Sequence, residues 1–432
     1  MTVMSVYLHD IPLREARERL KAALHEQGIW RVLGVETAPL DENVVGRTLA
    51  EAVWAKTSSP HYHASAMDGF AVRAADTKGA GPTTPISLRV GTQACYLDTG
   101  EPLPQGYDAV IPIESTEALG ADGEIAFDIR KPHSVRIRAA LPPWTHIRSL
   151  GEDIVATELV LPAGHVLRPV DLGAIAAAGL ASIRVSRKPR VAVFPTGSEL
   201  VPIGTAAKPG EILEYNSLVM ASQINTMGGQ AERFAVIPDD FAMICEHVRE
   251  AANSHDLILI NAGSSAGAED FSARVVAELG SLLVHGVAVR PGHPVILGLI
   301  QRTRDVDEPG LGEFIPIIGV PGYPVSAALT VEIFVEPLLA RWLGRPEKEL
   351  PVIKASLTRK IVSPAGDEDY IRVALGKVSE KVLAAPLSRG AGVITSLVRA
   401  DGLVIIPSGK QGAEAGEEVQ VQGIVIALLR RY

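Results

Sequence analysis

Three apolar runs in the second half of the chain have the pattern of buried β-strands. They are residues 190–194, 256–260 and 314–320, and all three are rich in Val, Ile, Leu or Phe. Each run ends in a loop of small or turn-forming residues, and helical patterns follow at 271–279 and in a long apolar segment that ends near Trp342. Because strands that alternate with helices form parallel sheets, this pattern predicts a doubly wound α/β domain.

The loops after these runs are rich in Gly, Pro, Ser and Thr. Ligands of an open parallel sheet bind outside the carboxyl ends of its strands, so we expect the three loops to line one crevice. Their backbone N–H groups, above all those of residues 321–327, suit a phosphate or another oxyanion. The loop residues predicted to line the crevice are Thr196, Gly197, Ser198, Gly263, Ser264, Ser265, Pro321, Gly322, Pro324 and Ser326.

The first 180 residues have different patterns. An amphipathic helix is predicted over 10–28, with Asp10 as its N-cap and Gly28 as its stop, and a second helix over 40–53. Residues 60–148 contain short apolar runs broken by Gly, Pro, Asp and Thr, which is typical of β structure. Helical character returns at 170–178, so the β-rich part has the position of an insertion into a helical domain.

The C-terminal part, beyond residue 346, has short alternating strands such as 419–426, which indicate a small barrel or sandwich. The length of 432 residues fits several domains. The predicted division is an N-terminal linker domain (7–45 and 148–188), a β-rich inserted domain (46–147), the doubly wound domain (189–345) and a C-terminal β-barrel domain (346–432).

Composition narrows the classes of function. The net charge of −9 and the absence of a Lys/Arg cluster argue against nucleic-acid binding, so any attraction for an anion must be local. No uninterrupted apolar run reaches about 18 residues, which argues against a membrane protein. With only Cys95 and Cys245, no disulfide framework is expected, and the chain has the character of a cytoplasmic protein.

Six short blocks occur in an order that resembles the MoeA family, the molybdopterin molybdenumtransferases, which include the gephyrin E domain. The blocks are Ser65-Ala66-Met67-Asp68-Gly69-Phe70-Ala71, Thr99-Gly100-Glu101-Pro102-Leu103-Pro104, Gly151-Glu152-Asp153, Pro195-Thr196-Gly197-Ser198-Glu199-Leu200, Arg290-Pro291-Gly292-His293-Pro294 and Pro321-Gly322-Tyr323-Pro324-Val325-Ser326-Ala327. The likeness covers essentially the whole chain, and the combination of the first and last blocks is specific.

The resemblance implies a multidomain α/β plus β fold of elongated, MoeA-like architecture. It has a doubly wound molybdopterin-binding domain, a β-rich inserted domain, a helical linker domain and a C-terminal β-barrel-like domain. The implied activity is insertion of molybdenum from molybdate into adenylylated molybdopterin, with release of AMP and a requirement for Mg²⁺. It also implies a homodimer, with the site between the doubly wound domain of one subunit and the β-rich domain of the other, and a molybdopterin adenylyltransferase as a partner.

The same resemblance assigns roles to individual residues. It implies that Asp68, Glu199 and Asp270 act in catalysis and at the metal, and that Asp239 is a further functional carboxylate. Hard oxygen ligands of this kind suit Mg²⁺. The residues implied to bind the pterin substrate, besides those of the three loops, are Thr99, Arg148, Asp153, Arg290 and His293.

Structural roles compete with these assignments. Asp68 precedes a glycine and has the position of a turn residue, while Glu199 has that of a first-turn carboxylate. Asp270 has the position of an N-cap. Asp239-Asp240 has the position of a helix cap. Arg148 and Asp153 can form a structural ion pair. His61 and His63 could belong to a metal site, but the structural alternative is two exposed histidines at a strand edge.

Several positions depart from the usual family pattern. His293 stands where a Lys is common, and an imidazole carries a full charge only when protonated. Tyr323 replaces an Asn, Asp367 an Arg and Ala391 a Ser. Two alternatives to the transferase follow: a catalytically weak sensor or assembly scaffold that binds molybdopterin or its oxyanion, and a tungsten-specific paralogue.

Overall fold

The structure is a computed structural model that describes residues 10–262, 268–303, 313–346 and 350–423. Contacts divide the chain into two compact units, Thr37–Arg184 and the combination of Met1–Glu36 with Val185–Tyr432. The chain passes between them twice, within the strands Val35–Pro39 and Ser182–Ser186. The finer division into four domains stays a prediction. Within these described ranges, no helix is both long and apolar enough to cross a membrane.

The unit Thr37–Arg184 contains two three-stranded antiparallel sheets, as the short apolar runs predicted. Their inward side chains, such as Phe70, Leu88 and Val135, form one shared core. The strands of the first sheet are Ala94–Leu97, Gly69–Val72 and Ala109–Pro112, and those of the second are Ile86–Arg89, Ser134–Ile137 and Thr116–Leu119. Shorter pairs join Val53–Trp54 with Leu159–Leu161 and Ala64–Ser65 with Ile147–Arg148. The helices are Glu42–Val44, Ala74–Thr77 and Ile113–Ser115, each a single 3₁₀ turn, and the α-helix Pro169–Ala177.

The helix predicted over 40–53 is wrong. That segment has only the 3₁₀ turn Glu42–Val44, and its end forms the strand Val53–Trp54. The Asp41 carboxylate caps this turn by accepting a hydrogen bond from the Asn43 N–H, but the helical conformation does not continue beyond Val44. Gly46 then takes a φ of +79°, which a right-handed helix does not allow.

A six-stranded mixed sheet forms the centre of the other unit and confirms the predicted doubly wound domain. In spatial order its strands are Gln230–Arg233, Arg190–Pro195, Leu257–Asn261, Phe314–Val320, Ile296–Gln301 and Gly280–His285. The first four are parallel, and the last two are antiparallel to their neighbours. Both faces are buried: Val191 and Val193 enter one core, and Ala192 and Phe194 enter the other. This accounts for continuous apolar runs without alternation.

The helices of this unit are Leu13–Glu26, Asn216–Thr226, Phe241–Ala252, Ala268–Leu279, Pro324–Thr330 and Glu336–Leu343, and a π-helical segment, Val331–Val335, joins the last two. The first helix begins at Leu13, so the predicted start at Asp10 is wrong. Pro12 occupies the N-cap position with an extended ψ of 140°, and the chain becomes helical only after it. The predicted apolar face is otherwise confirmed, with Leu20 and Leu24 in the core.

Five strands close into a C-terminal β-barrel, as predicted. Around the ring they are Glu368–Val378, Lys381–Pro386, Val352–Leu357, Glu418–Gly423 and Gly402–Ile406, and the last pairs with the first. The strand predicted over 419–426 ends at Gly423, where the described residues end. The remaining elements of this unit are the strand pairs Leu200–Val201 with Ile212–Leu213 and Ile361–Val362 with Gly412–Ala413, and the helix Thr395–Arg399. A further strand, Val289–Arg290, adds to the barrel edge and pairs Arg290 with Asp369.

Candidate active site

The carboxyl ends of three parallel strands meet at one edge of the six-stranded sheet. The strands end at Pro195, Asn261 and Val320, and they are neighbours in the sheet. The Thr196 N–H donates to the Asn261 carbonyl at 2.9 Å, and the Asn261 side-chain amide donates to the carbonyls of Val320 and Pro321 at 3.2 and 3.0 Å. The first and third loops therefore begin on either side of Asn261, at the one edge of the sheet where the sequence predicted all three loops.

Two asparagines that the sequence reading missed hold this edge together. Asn216, the first residue of its helix, donates from Nδ2 to Asn261 Oδ1 at 3.1 Å and to the Gly322 carbonyl at 2.7 Å. A cavity of about 200 Å³ opens beside them and is also lined by Glu199 and Tyr323. One signal in the sequence could have identified Asn261: it is a polar residue at the end of an apolar strand. A buried amide needs hydrogen-bond partners, so such a residue is expected to bond to the neighbouring loops.

The loop after the first strand is held by a reciprocal contact with Asp239. The Ser198 N–H donates to Asp239 Oδ2 at 3.2 Å, and the Asp239 N–H donates to Ser198 Oγ at 3.1 Å. Asp240 caps the helix Phe241–Ala252 by accepting from the Met243 N–H, so capping belongs to Asp240 and not to Asp239. Asp239 thus fixes the conformation of a predicted site loop.

Glu199 turns back over this loop. An added Cβ on Gly197 would lie 2.8 Å from Glu199 Oε2, so this carboxylate reaches back to the loop, and the φ of +148° at Gly197 favours glycine there. Glu199 precedes the strand Leu200–Val201, so its alternative role as a first-turn helix residue is wrong. Its assignment as a catalytic and metal-binding residue stays a prediction.

The middle loop lies largely outside the described residues. Gly263, Ser264 and Ser265 belong to the segment 263–267, which the structure does not describe. The backbone of Asp270 lies in the first turn of the helix Ala268–Leu279, two residues after its start, so the N-cap alternative is wrong. The roles predicted for these four residues stay predictions.

The loop after the third strand uses part of its N–H donors internally. The Val325 N–H donates to the Ala391 carbonyl at 3.0 Å, and the Ala327 N–H donates to the Tyr323 carbonyl at 2.9 Å. Those two groups are therefore not available to an anion. Gly322 is not among the described glycines with positive φ, so a need for left-handed backbone is not the reason for glycine here.

The turn 290–294 brings two predicted cations to one carboxylate. Arg290 Nε lies 2.6 Å from Asp367 Oδ2, and His293 Nε2 lies 3.2 Å from Asp367 Oδ1. His293 Nε2 is within ion-pair distance of Asp367 without the geometry of a hydrogen bond, and His293 Nδ1 lies 3.7 Å from Asp10. Asp367 therefore offsets part of the positive charge of this turn.

A larger cavity, about 780 Å³ in volume, lies between this turn, the start of the helix Pro324–Thr330 and the barrel. Its charged wall contains three arginines and one carboxylate, so positive charge is in excess. These residues are Arg290, Arg372, Arg389 and Asp369. Arg389 and Ser363 Oγ both donate to Oδ2 of Asp369, so this carboxylate offsets part of the positive charge of the wall.

Arg372 is buried without a carboxylate partner. Its side chain is 2% exposed and donates only to uncharged acceptors: Ser396 Oγ at 3.1 Å and the carbonyls of Ser388, Gly390 and Tyr370 at 2.7 to 3.5 Å. Burial lowers the pKa of its guanidinium, since removal from water disfavours the charged form. Within the described residues, no ion pair compensates this charge, so an anion in the cavity would stabilise it.

Asp68 and Thr99 form a tight pair in the unit Thr37–Arg184. Asp68 Oδ1 accepts hydrogen bonds from the Thr99 hydroxyl at 2.6 Å and the Thr99 N–H at 2.7 Å. The hydroxyl first, and then the backbone N–H, hold the pKa of the Asp68 carboxyl below its ordinary value. Asp68 is exposed, so its charged carboxylate is available to a ligand.

Replacement of Thr99 by Val is expected to raise the pKa of Asp68 towards its ordinary value. The variant removes the hydroxyl donor and keeps the N–H donor, so the carboxylate loses its strongest support. A carboxyl titration followed by NMR with labelled Asp measures the change, and Thr99→Ser, which keeps the hydroxyl, is the matched control. A depressed pKa stabilises the native state above the unfolded-state pKa, and this contribution is lost as pH falls through the native-state value. An unchanged pKa in the Val variant contradicts this account.

The other residues predicted from the first unit are not brought together in the expected way. Arg148 lies 3.4 Å from Glu152, so Glu152 takes the place predicted for Asp153 in the ion pair. Arg148 and Asp153 are both exposed. His63 precedes the strand Ala64–Ser65, and its Nδ1 accepts from the Leu150 N–H at 3.0 Å. That contact favours a structural role for His63.

The donor set for a metal ion is incomplete within the part of the chain that the structure describes. No group of three or more His, Cys, Asp or Glu side chains there has the arrangement to hold a metal ion. Mg²⁺ commonly keeps several waters and uses one or two carboxylates with substrate phosphates, so the single exposed carboxylate of Asp68 fits this mode of binding. The side chain of Asp270 lies outside the described ones, so the predicted metal set of Asp68, Glu199 and Asp270 stays a prediction.

Models of known families match three successive parts of the chain. Residues 11–179 match the MoeA N-terminal region (domain I and II), residues 192–341 match a probable molybdopterin binding domain, and residues 354–424 match the MoeA C-terminal region (domain IV). Together these matches cover most of the sequence.

Individual relatives also match this chain over most of its length. Molybdopterin molybdenumtransferase 2 of Mycobacterium tuberculosis (strain CDC 1551 / Oshkosh) is 34% identical over 411 residues, which cover 89% of this chain and 94% of the relative. Molybdopterin molybdenumtransferase of Bacillus subtilis (strain 168) is 28% identical over 397 residues, which cover 88% of each chain. The crystal structure of the molybdopterin biosynthesis MoeA protein from Pyrococcus horikosii has a TM-score of 0.77 and 31% identity, and the match covers 96% of this chain and 99% of that one. The chain therefore belongs to the MoeA family of molybdopterin molybdenumtransferases.

Proposed function

We propose that this protein inserts molybdenum from molybdate into adenylylated molybdopterin and releases AMP. The observation that carries the proposal is the buried guanidinium of Arg372 in the larger cavity, for which the described residues provide no salt-bridge partner. An enzyme that handles two anionic substrates needs fixed positive groups, and a cation held in a buried position costs little reorganisation when an anion arrives. The family membership supplies the reaction class.

Molybdate is the ligand that the charge balance of the larger cavity fits. It is a compact dianion, and the cavity wall contains three guanidinium groups, of which Arg290 pairs with Asp367, Arg389 pairs with Asp369, and Arg372 has no salt-bridge partner among the described residues. Arg372 is already oriented by its carbonyl and hydroxyl acceptors, so its charge is held in place before an anion arrives. The hydroxyl of Ser326, whose residue also lines this cavity, adds a neutral donor.

The pterin substrate is assigned to the crevice at the sheet edge. Thr196, Gly197 and Ser198 are proposed to form one side of it, and Pro321, Gly322 and Pro324 are proposed to form the other. Asp239 and Asn261 hold these loops by direct hydrogen bonds, so they position the backbone against which the substrate lies. Gly263, Ser264 and Ser265, of the middle loop, complete the proposed set.

The carboxylates of Asp68, Glu199 and Asp270 are proposed to act on the nucleotide phosphates with Mg²⁺. When bound, Mg²⁺ supplies positive charge that stabilises the leaving phosphate. Asp68 offers the exposed, ionised oxygen that this role requires, with its orientation fixed by Thr99. The homodimer and the molybdopterin adenylyltransferase partner belong to the same proposal.

The test combines the purified protein with adenylylated molybdopterin, Mg²⁺ and an oxyanion, and follows AMP release. Molybdate is expected to give release above the level with sulfate, which is a tetrahedral dianion without a transferable metal. A parallel reaction with tungstate decides between a molybdenum and a tungsten enzyme. Folded protein that releases no AMP with molybdate or tungstate contradicts the proposal.

Binding without turnover is the second candidate, and one contact favours it. Asp367 pairs with Arg290 and lies 3.2 Å from His293, so the turn 290–294 attracts an anion less strongly than it would with Arg290 unpaired. A sensor or scaffold on this fold would bind molybdate or the pterin in calorimetry and leave AMP bound in the substrate. The same assay with a parallel binding measurement separates the two functions.

A further inference from the structure

Tyr323 is the side chain that the two cavities share. It lines the cavity of about 200 Å³ beside Asn216 and Asn261, and it also lines the cavity of about 780 Å³ that contains Arg372. The residue is 53% exposed although its neighbours Pro321 and Pro324 are buried. A large ring therefore lies open between a polar crevice and a cationic cavity.

The backbone around Tyr323 holds this ring in place. Tyr323 is the N-cap residue of the helix Pro324–Thr330, with a ψ of 131°, and its carbonyl accepts from the Ala327 N–H at 2.9 Å. The next N–H along the chain, that of Val325, donates to the Ala391 carbonyl at 3.0 Å. Proline at the next position restricts the backbone further. The chain thus presents the ring from a rigid base.

One flank of the ring faces a glycine. An added Cβ on Gly392 would lie 3.6 Å from Tyr323 Cδ1 and 3.8 Å from Cε1, which is ordinary van der Waals contact. Within the described ranges, the phenol hydroxyl has no hydrogen-bond partner and the ring packs on no other aromatic ring. Aromatic rings gain free energy from offset or edge contacts with other rings. Tyr323 makes no such contact within the described residues, so its ring can contact an aromatic ring of a ligand.

We propose that the ring of Tyr323 stacks on a planar heteroaromatic ring of the substrate, the pterin or the adenine, while an anionic group of the same complex occupies the cavity of Arg372. Tyr323 would then act as a specificity residue that admits flat ring systems at the boundary of the two cavities. The inference rests on the proposed function, since both rings belong to adenylylated molybdopterin. It adds a ring-recognition role to a site otherwise built for anions.

The experiment compares the parent with Tyr323→Phe, Tyr323→Ala and Tyr323→Asn. Calorimetry with AMP and with a pterin monophosphate measures ring binding, and molybdate, which has no ring, is the control ligand. Loss of one stacking partner is expected to weaken the affected ring ligand roughly tenfold in the Ala and Asn variants. The Phe variant is expected to keep the parent affinity within about twofold, because it keeps the ring.

Molybdate affinity should be the same in all four proteins, which shows that the larger cavity is intact in each. The ligand that loses affinity identifies the stacked ring as pterin or adenine. Equal affinity of the parent and the Ala variant for both ring ligands overturns the inference. A Phe variant that binds the ring ligands as weakly as the Ala variant also overturns it, since the hydroxyl and not the ring would then be the contact. In AMP release, the Ala variant should raise KM more than it lowers kcat.

The AMP-release arm keeps this inference separate from the proposed function. If the parent binds a ring ligand through Tyr323 but releases no AMP with molybdate or tungstate, the ring-recognition role stands and the transferase activity fails. If the parent releases AMP and all variants match it in KM and ring affinity, the transferase stands and the role of Tyr323 fails.

Discussion

Replacement of Asp68 by Asn is expected to slow molybdate-dependent AMP release by roughly 100- to 1,000-fold, the usual cost of losing one preorganised electrostatic group. The amide keeps the shape of the carboxylate and can still accept from Thr99, so the local turn should survive. The negative charge that would hold Mg²⁺ against the nucleotide phosphates is lost. The measurement is the rate of AMP release at saturating Mg²⁺, with circular dichroism to confirm the fold.

Asp76→Asn is the matched control for this change. Asp76 lies in the same unit, and its carboxylate pairs with Arg73 at 2.7 Å, outside every predicted site. Loss of that exposed pair should leave the rate within about twofold, since exposed ion pairs contribute little. Equal rates for parent and Asp68→Asn would assign Asp68 to the turn alone, the structural alternative that its position before Gly69 suggests.

The strands of the α/β domain were predictable because burial of both sheet faces requires a continuous run of apolar residues in each strand. The strand Phe314–Val320 has the predicted bounds, and Arg190–Pro195 and Leu257–Asn261 differ from theirs by one residue at an end or at both ends. All these strands need apolar side chains at successive positions, because alternate residues enter different cores.

The errors lie where local backbone conformation outweighs a weak apolar periodicity. In the segment predicted as a helix over 40–53, the turn that Asp41 caps is only three residues long, and the positive φ of Gly46 ends any helical continuation. At the first helix, Pro12 and not Asp10 sets the start. Periodicity indicates which face of an element is buried, but it does not report the turn chemistry that decides where the element begins.

The parts of the site that lie at strand ends were predictable from the sequence. The parts that depend on contacts between residues far apart in the sequence were not. The first and third loops lie at the same edge because their strands flank the strand Leu257–Asn261 in one parallel sheet, and the α/β pattern implies such a sheet. Arg372 and Asp367 lie on or beside a barrel strand more than 70 positions after the turn 290–294, and the pairing of Arg290 with Asp369 brings them to it. No local pattern in sequence specifies that register.

Replacement of Arg372 by Met is expected to weaken molybdate binding by at least about 30-fold, because it removes the buried cation of the proposed oxyanion cavity. Met has a similar length and no charge, and exchange of a buried charge for an apolar side chain is often tolerated. The carbonyls of Ser388 and Gly390 lose a donor, so some loss of thermal stability is expected as well. Calorimetric titration with molybdate measures the affinity, and thermal unfolding measures the stability.

Arg372→Lys separates charge from geometry in the same experiment. Lys keeps the positive charge but cannot reproduce the planar set of donors that reaches Ser396, Ser388 and Gly390 together. If charge is what the anion requires, the Lys variant should bind molybdate more tightly than the Met variant and less tightly than the parent. A folded Met variant with the parent's affinity would mean that Arg372 only orders the loop 387–394, and the proposed oxyanion site would then have to be sought at Arg290 and Arg389.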